Sequence, residues 1–360
     1  MSGRPILVMA GGTGGHVYPA LAVARALQQQ SRDVVWLGTH RGLESRVVPA
    51  AGINMEWISI RGLRRKGLLA LIIAPVQLCW AFIQSLIVIL RRRPAAVLGM
   101  GGFVSGPGGV AAWLMRRPLV IHEQNAAAGL TNRLLARLAR VVLQAFPGSF
   151  NSNVHAETVG NPVREDIAAV PRPEARYPDR DGPLRMLVLG GSQGALALNR
   201  TVPAALALLS DDIRPVVHHQ CGAATLDTAR DAYADGDIDV ELVPFIEDMA
   251  SAYAWADLVV CRAGALTVAE LCAVGLPALF IPYPSAVDDH QTANATPMAQ
   301  AGAALIIQEQ DLSDESLAGE LRRWLTSRDD LLGRAQKSRQ LARPQALRRI
   351  TELCLEQAGT

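Results

Sequence analysis

The sequence predicts an α/β protein made of two doubly wound, Rossmann-like domains. Two stretches carry that prediction. Ile6 to Met9 is a short apolar run that ends in Ala10-Gly11-Gly12-Thr13-Gly14-Gly15-His16, and an Ala- and Leu-rich helical pattern follows from Ala20 to Gln29. Residues 185–195 repeat the arrangement: an apolar strand, then Gly190-Gly191-Ser192-Gln193-Gly194-Ala195, then a helical pattern through Leu209. Strand, glycine turn and helix form a phosphate cradle. Glycines let backbone N–H groups approach an anion, and the helix N-terminus adds its dipole. The spacing is not the G-x-G-x-x-G dinucleotide fingerprint, so one copy alone specifies little. Two copies half a chain apart specify two domains, each opening on a glycine loop.

Composition agrees. The 360 residues suffice for two domains of ordinary size, and 50% of them are hydrophobic. A formal net charge of +2 argues against nucleic acid as a partner. The 5 cysteines are scattered and form no CxxC, which fits a reducing compartment and no structural zinc. Met1-Ser2-Gly3-Arg4-Pro5 runs straight into the first strand and leaves no room for a signal peptide.

In order along the chain, Asp33 to Gly38 reads as a second strand, Arg41 to Ala50 as a short helix and Met55 to Ile60 as a third strand. This βαβ rhythm implies a parallel sheet. From Trp57 to His122 there is no Asp or Glu, whereas Arg and Lys occur nine times. Inside this stretch, Gly62-Leu63-Arg64-Arg65-Lys66-Gly67 leads into Leu68 to Leu90, whose polar residues are Gln77, Gln84 and Ser85; Arg91-Arg92-Arg93 closes it. The run is long enough to span a bilayer. Against a span, Pro75 interrupts it, both flanks are basic, and crossing would split the domain between strands. Two readings remain. One is a pair of buried helices, or a single one, covering the sheet. The other is an apolar surface over residues 62–93, ringed by cations and lying on an anionic membrane leaflet. The missing acids favour the second.

Val97-Leu98 resumes the sheet and meets a third glycine stretch, Gly99 to Gly109. Leu119 to Ile121 is a further strand that delivers His122-Glu123-Gln124-Asn125 at its carboxyl end, where open α/β sheets bind ligands. His122, Glu123 and Asn125 are therefore candidate site residues; otherwise they cap a helix that starts near Leu130. Val141 to Leu143 is expected to be the last strand of the first half. Prolines at 162, 171, 173, 178 and 183 suggest an extended interdomain linker.

In the second half, strands are expected at 186–189, 214–218, 240–243, 257–261 and 278–281. Asp257 to Gly264 leads into a helix from Ala265, ended by Gly275 and Pro277. The start of that helix suits a phosphate. Glu270, one to two turns in, is placed either to accept ribose hydroxyls or to offset the helix dipole. Asp288-Asp289-His290-Gln291 and Asn294 follow the strand at 278–281. No second His or Cys stands at helical spacing, so no metal site is expected. Arg343 to Glu356 is an amphipathic helix expected to pack back across the linker.

Six motifs then occur in one order: Gly11-Gly12-Thr13-Gly14-Gly15-His16, Leu98 to Pro107, His122-Glu123-Gln124-Asn125, Gly160-Asn161-Pro162-Val163-Arg164, Gly190 to Ala195 and Arg262-Ala263-Gly264-Ala265-Leu266-Thr267. Together, over essentially the whole chain, they closely resemble the MurG family of bacterial peptidoglycan glycosyltransferases. The resemblance implies a GT-B architecture, with the active site in a cleft between the domains. It implies a metal-independent, inverting transfer of N-acetylglucosamine from UDP-N-acetylglucosamine to the 4-hydroxyl of the muramyl sugar of lipid I, forming lipid II without a cofactor.

The resemblance further implies an acceptor- and membrane-binding domain over 1–162, a UDP-sugar-binding domain over 163–342, and a helix over 343–360 returning to the first domain. Carried over by motif, Phe245 packs beside uracil, Ile246 hydrogen-bonds it through its backbone, and Glu270 binds ribose. Ser192, Arg164 and the helix start at Ala265, Leu266, Thr267, Val268 and Ala269 hold the diphosphate. Gln291 and Asn294 read the sugar hydroxyls. Thr13, Gly14 and Gly15 bind the acceptor, with Asn125 close to the transferred sugar. The implied location is peripheral, on the cytoplasmic face of the bacterial inner membrane, with cell-wall assembly proteins as possible partners.

His16 is the expected general base, because it follows the first glycine loop and an imidazole titrates near neutrality. Alternatively it binds the acceptor phosphate without moving a proton. Glu123 and His122 are the rival base, or its orienting partners. Two departures from the family pattern stand out. Ser285 occupies a loop position where many relatives carry histidine, and Leu68 to Leu90 is more continuously apolar than usual, which implies tighter membrane attachment. The competing readings are a related transferase acting on another lipid such as a diacylglycerol, a UDP-sugar epimerase, and a membrane scaffold without activity.

Overall fold

The computed structural model describes residues 3–60, 68–178, 180–191, 194–234, 236, 238–284 and 289–359, with the side chains of 68–73 left aside. The chain divides into two compact units, Met1–Val163 with Arg343–Thr360, and Arg164–Ala342.

The first unit runs β1 (Ile6–Met9), α1 (Gly14–Gln29), β2 (Val34–Gly38), α2 (Glu44–Ala50), β3 (Asn54–Trp57), α3 (Leu68–Arg92), β4 (Ala96–Gly99) and α4 (Ser105–Leu114). It continues with β5 (Leu119–Glu123), α5 (Leu130–Leu135), β6 (Val141–Gln144) and β7 (Ala156–Thr158). The strands form one parallel sheet in the order β3-β2-β1-β4-β5-β6-β7. Alternate residues face opposite sides of it. Ile6, Val8, Trp36, Leu98 and Val120 join a core with Val17, Leu21 and Leu27 of α1. Leu7, Met9, Leu37, Val97 and Ile121 join another with Ala81, Val88 and Ile89 of α3 and Ala111 of α4. The order of the strands reverses between β1 and β4, which sets the ligand-binding edge at the loops after those two strands.

The second unit runs α6 (Glu165–Ala168), α7 (Pro173–Arg176), β8 (Arg185–Leu189), α8 (Leu196–Ala207), β9 (Val216–Gln220), α9 (Leu226–Tyr233), β10 (Val240–Val243) and α10 (Met249–Trp255). Then come β11 (Leu258–Cys261), α11 (Ala265–Val274), β12 (Ala278–Phe280), α12 (His290–Gln300), β13 (Ala304–Ile306), α13 (Asp314–Trp324) and α14 (Arg328–Gln340). Its parallel sheet has the order β10-β9-β8-β11-β12-β13, with the reversal between β8 and β11. The last helix, α15 (Ala346–Ala358), belongs to the first unit, where Ile350, Leu353 and Cys354 are buried in the core beside α1.

Several expectations need correction. Val141 to Gln144 is not the last strand of the first unit; β7 follows it. α1 begins at Gly14 and carries Pro19 inside it, so His16 lies on its first turn. The proline-rich stretch is not simply extended, since it holds α6 and α7, with Pro173 at the start of α7 where its missing N–H costs nothing.

That stretch is fastened to the second unit. The buried Arg176 guanidinium donates to the carbonyls of Pro171, Tyr253, Val274 and Gly275 at 2.8–3.2 Å. The fully buried Asp257 carboxylate pairs with Arg180 and accepts from the Arg185 N–H at 3.0 Å. A buried cation and anion are tolerable only when so fully bonded.

Candidate active site

In the first unit, the loop after β1 is shaped from behind. Trp36 Nε1 donates to the Ala10 carbonyl at 2.9 Å. Glu44, fully buried, accepts from the Gly12 N–H at 3.0 Å, and from the Thr39 N–H and hydroxyl at 3.1 and 2.8 Å. Gly12 therefore points its amide inward. Thr13 is exposed and precedes the first turn of α1, in which the amides of Gly14 and Gly15 have no partner one turn back. The third glycine stretch packs directly on this loop. Gly102 has φ +79°, and a Cβ there would lie 2.2 Å from the Gly11 carbonyl oxygen.

His16 is half-buried beside this loop, and its Nδ1 lies 3.0 Å from Gln124 Oε1. Gln124 is buried at the end of β5, and its Nε2 reaches the Met100 carbonyl at 3.0 Å and His122 Nδ1 at 3.2 Å. The Nε2 of His122 lies 2.9 Å from the Gly160 carbonyl. Burial pushes the His122 imidazole down to about 4, so the ring is neutral at physiological pH. A buried histidine with both nitrogens bonded is not a base for a substrate.

Glu123 is also spoken for. Its Oε1 accepts from the N–H and side-chain amide of Asn125 at 3.0 and 3.2 Å, and its Oε2 from Gly129 N–H and Asn132 Nδ2 at 3.1 and 2.9 Å. It ties down the turn that carries Asn125, whose carbonyl accepts from Ser149 at 2.8 Å. Of the three candidate bases, His16 is half-buried beside the glycine loop, whereas His122 and Glu123 are buried and bonded within the turn that follows β5.

The second unit gathers the other candidates. α11 starts beyond Gly264, and the Val268 N–H closes its first turn on the Gly264 carbonyl at 2.9 Å. Val268 and Ala269 therefore spend their amides inside the helix, and an anion at its start meets the amides of Leu266 and Thr267. Glu270 is buried and accepts from the Tyr253 hydroxyl at 2.9 Å. Burial pushes its carboxyl up to about 7, while Tyr253 and the nearby Arg164 act in the other direction. Arg164 pairs with Asp166 at 3.3 Å, and its Nε is buried without a hydrogen-bond partner.

Phe245 is 50% exposed, whereas Ile246 is buried, and its N–H donates to Gln220 Oε1 at 3.1 Å. The Ile246 amide proton is thus unavailable to a base. Gln291 Oε1 accepts from the N–H groups of Ala263 and Tyr283 at 3.2 and 2.9 Å. Asn294 is wholly buried and donates to the Ala263 carbonyl at 3.1 Å. It braces the turn between β11 and α11, beside Gln291. Ser192 lies outside the described residues, as does the loop holding Ser285. Among the described residues no three His, Cys, Asp or Glu side chains are grouped to hold a metal.

Sequence reading passed over Gln124, Glu44, Tyr253 and Gln220. Gln124 stood inside a quoted motif, and its neighbours drew attention because they ionise. Glu44 lies 32 residues from Gly12, Tyr253 17 from Glu270 and Gln220 26 from Ile246, so no local spacing marks these pairs.

Residues 6–144 match the glycosyltransferase family 28 N-terminal domain, and residues 185–350 match the glycosyltransferase family 28 C-terminal domain. The chain belongs to glycosyltransferase family 28. A relative in this family from Alkalilimnicola ehrlichii is 58% identical over 98% of this chain and 99% of its own length. One from Nitrosococcus oceani is 56% identical over the same shares. Both are named UDP-N-acetylglucosamine--N-acetylmuramyl-(pentapeptide) pyrophosphoryl-undecaprenol N-acetylglucosamine transferase. Among solved structures, the MurG of Acinetobacter baumannii superposes with a TM-score of 0.85 at 41% identity, covering 98% of this chain and 99% of that one. Family 28 membership and this superposition establish the GT-B pair of Rossmann-like domains.

Proposed function

We propose that this protein transfers N-acetylglucosamine from UDP-N-acetylglucosamine to the 4-hydroxyl of the muramyl sugar of lipid I, an N-acetylmuramyl-(pentapeptide) pyrophosphoryl-undecaprenol, forming lipid II. The observation that carries the reading is 58% identity, nearly end to end, with a relative named for that transfer. The site chemistry supports it. His16 Nε2 takes the proton of the attacking hydroxyl as its oxygen bonds the anomeric carbon. The bond to the β-phosphate breaks, UDP leaves with the electron pair, and the configuration inverts. Nothing in this displacement calls for a cofactor or a metal, because hydrogen-bond donors and cations can offset the charge on the leaving diphosphate.

The second unit is the donor-binding domain in this reading. Phe245 packs beside uracil, and the Ile246 carbonyl accepts from it. Glu270 accepts from the ribose hydroxyls. Arg164, Ser192 and the amides of Leu266 and Thr267 hold the diphosphate, with the buried Ala265 and Val268 and the neighbouring Ala269 packing that turn. Gln291 and Asn294 read the sugar hydroxyls, from side chains that both bond the backbone of Ala263. The first unit binds the acceptor through Thr13, Gly14 and Gly15, with Asn125 beside the transferred sugar.

Peripheral attachment at the cytoplasmic face of the inner membrane belongs to the same reading. Among the described residues one helix, at Ala74–Arg92, is long and apolar enough to cross a membrane. Its Ala81, Val88 and Ile89 face is committed to the core, whereas Val76, Trp80, Ile83, Ile87 and Leu90 are exposed. A helix anchored on one side and apolar on the other lies in an interface. Arg91 and Arg92 both pair with the buried Glu56, so they are held in place at its end. The flanking Arg64, Arg65 and Lys66 lie outside the described residues.

The test compares acceptors. With UDP-N-acetylglucosamine, the protein is expected to release UDP in the presence of a lipid I analogue and not with a diacylglycerol. Release with the diacylglycerol alone overturns the proposed acceptor.

A further inference from the structure

We propose that Gln124 is a positioning residue, which holds His16 in the tautomer protonated at Nδ1 and so leaves the Nε2 lone pair to receive the proton. This rests on the reading of His16 as the base.

The polarity of the chain of contacts can be derived from two carbonyl groups, which only accept. The Gly160 carbonyl, 2.9 Å from His122 Nε2, requires the proton there, so His122 Nδ1 is an acceptor. The Met100 carbonyl, 3.0 Å from one terminal atom of Gln124, requires that atom to be the NH2 group, which also lies 3.2 Å from His122 Nδ1. The other atom of the amide is then the oxygen. It faces His16 Nδ1 at 3.0 Å, and Nδ1 must carry the proton that it accepts. With both rings neutral, no other assignment satisfies every member.

The side chains around His16 keep this arrangement rigid. Gln124 and His122 are buried, and Asn161 Nδ2 donates to the Gln124 carbonyl at 3.0 Å. Gly101 closes the remaining side: with φ +89°, a Cβ there would lie 2.7 Å from His16 Nδ1 and 3.3 Å from Gln124 Oε1. The orienting group is an amide, which does not titrate. A carboxylate in its place would also fix the tautomer, but would favour the imidazolium and withdraw the base at a higher pH. The titratable neighbours do not take over that part. His122 is neutral, and Glu123 and Glu44 each spend their oxygens on loop amides and side chains. The structure thus assigns an orienter that sets direction without adding charge.

Two measurements on the full chain test this. The first is ¹⁵N NMR of the His16 ring, expected to show Nδ1 protonated and Nε2 bare in the neutral form. The second compares Gln124→Leu with Gln124→Glu. Gln124→Leu should mix the tautomers and lower transfer turnover about tenfold or more, with UDP affinity held. Gln124→Glu keeps an acceptor at the same place. It should restore a single tautomer and most of the turnover, while moving the acid limb of the pH profile upward by about one unit.

Neutral His16 protonated at Nε2 in the wild-type protein overturns the proposal. So does Gln124→Leu with unchanged tautomer and turnover, or Gln124→Glu as inactive as Gln124→Leu. If Gln124→Leu does not fold, the wild-type ring spectrum and the Gln124→Glu pH limb decide. Full turnover in His16→Ala would instead remove the base reading itself, whatever tautomer the wild-type ring shows.

Discussion

Tyr253 donates its hydroxyl to Glu270 Oε2 at 2.9 Å inside the second unit, and it does not fully offset the burial of that carboxyl. Burial pushes Glu270 up from 4.5 to about 7. The folded protein then holds this proton more tightly than the unfolded chain does. As pH rises from about 4.5 to about 7 the unfolded chain releases it first, and stability falls, by up to about 3 kcal/mol. Above that window the loss is complete. Glu270→Gln removes the titrating group. Its melting temperature relative to wild type should climb across the same window and then level off, as measured by thermal denaturation at stepped pH. Above that window, where Glu270 is ionised, UDP affinity of the same variant should fall about tenfold, since a ribose hydroxyl loses a charged acceptor.

His16→Ala should lower transfer turnover by about 10²–10⁴ and leave UDP affinity nearly unchanged. Steady-state kinetics with isothermal titration of UDP separates the two. Turnover that stays at the wild-type level would mean that His16 moves no proton.

Gly101→Ala should reproduce part of that loss without touching a reacting atom. The added methyl would stand 2.7 Å from His16 Nδ1, at a backbone φ that a side chain rarely adopts. Either the ring or the loop must shift, so turnover falls about tenfold or more while UDP binding in the other unit is preserved. Gly52→Ala is the control for the backbone cost alone: its φ is +73°, and its Cβ would meet nothing within 4 Å.

Ile83→Glu with Ile87→Glu places two charges on the exposed face of α3 and none in its core. Flotation with anionic vesicles should be lost, whereas transfer to a water-soluble acceptor analogue should be retained. Wild-type protein that fails to float at low salt would defeat the membrane-surface reading.

The alternation of buried strands with glycine turns made both sheets legible, because a strand buried on two faces must be continuously apolar. β7 and β13 escaped because each is a short edge strand that is only partly buried, so neither stands out as a continuous apolar run. The start of α1 was masked by Gly14 and Gly15 in its first turn and by Pro19 just beyond it, all poor helix formers. The candidate site was legible where chemistry is local, as in the turn at His122 to Asn125. It was not where partners meet only in the fold. Nothing in the spacing shows that His122 is sealed beneath Gln124 or that Asn294 is buried under Ala263. An ionisable side chain at a strand end marks a neighbourhood, and only burial decides which member of it is free to react.

The account is tested most directly by following both products at once, with sugar-labelled UDP-N-acetylglucosamine and a lipid I analogue. It predicts that UDP appears in step with label in the lipid fraction, that both depend on the acceptor, and that the new linkage is of inverted configuration. Label recovered as free N-acetylglucosamine, or as an epimerised UDP-sugar, with none in lipid would contradict it.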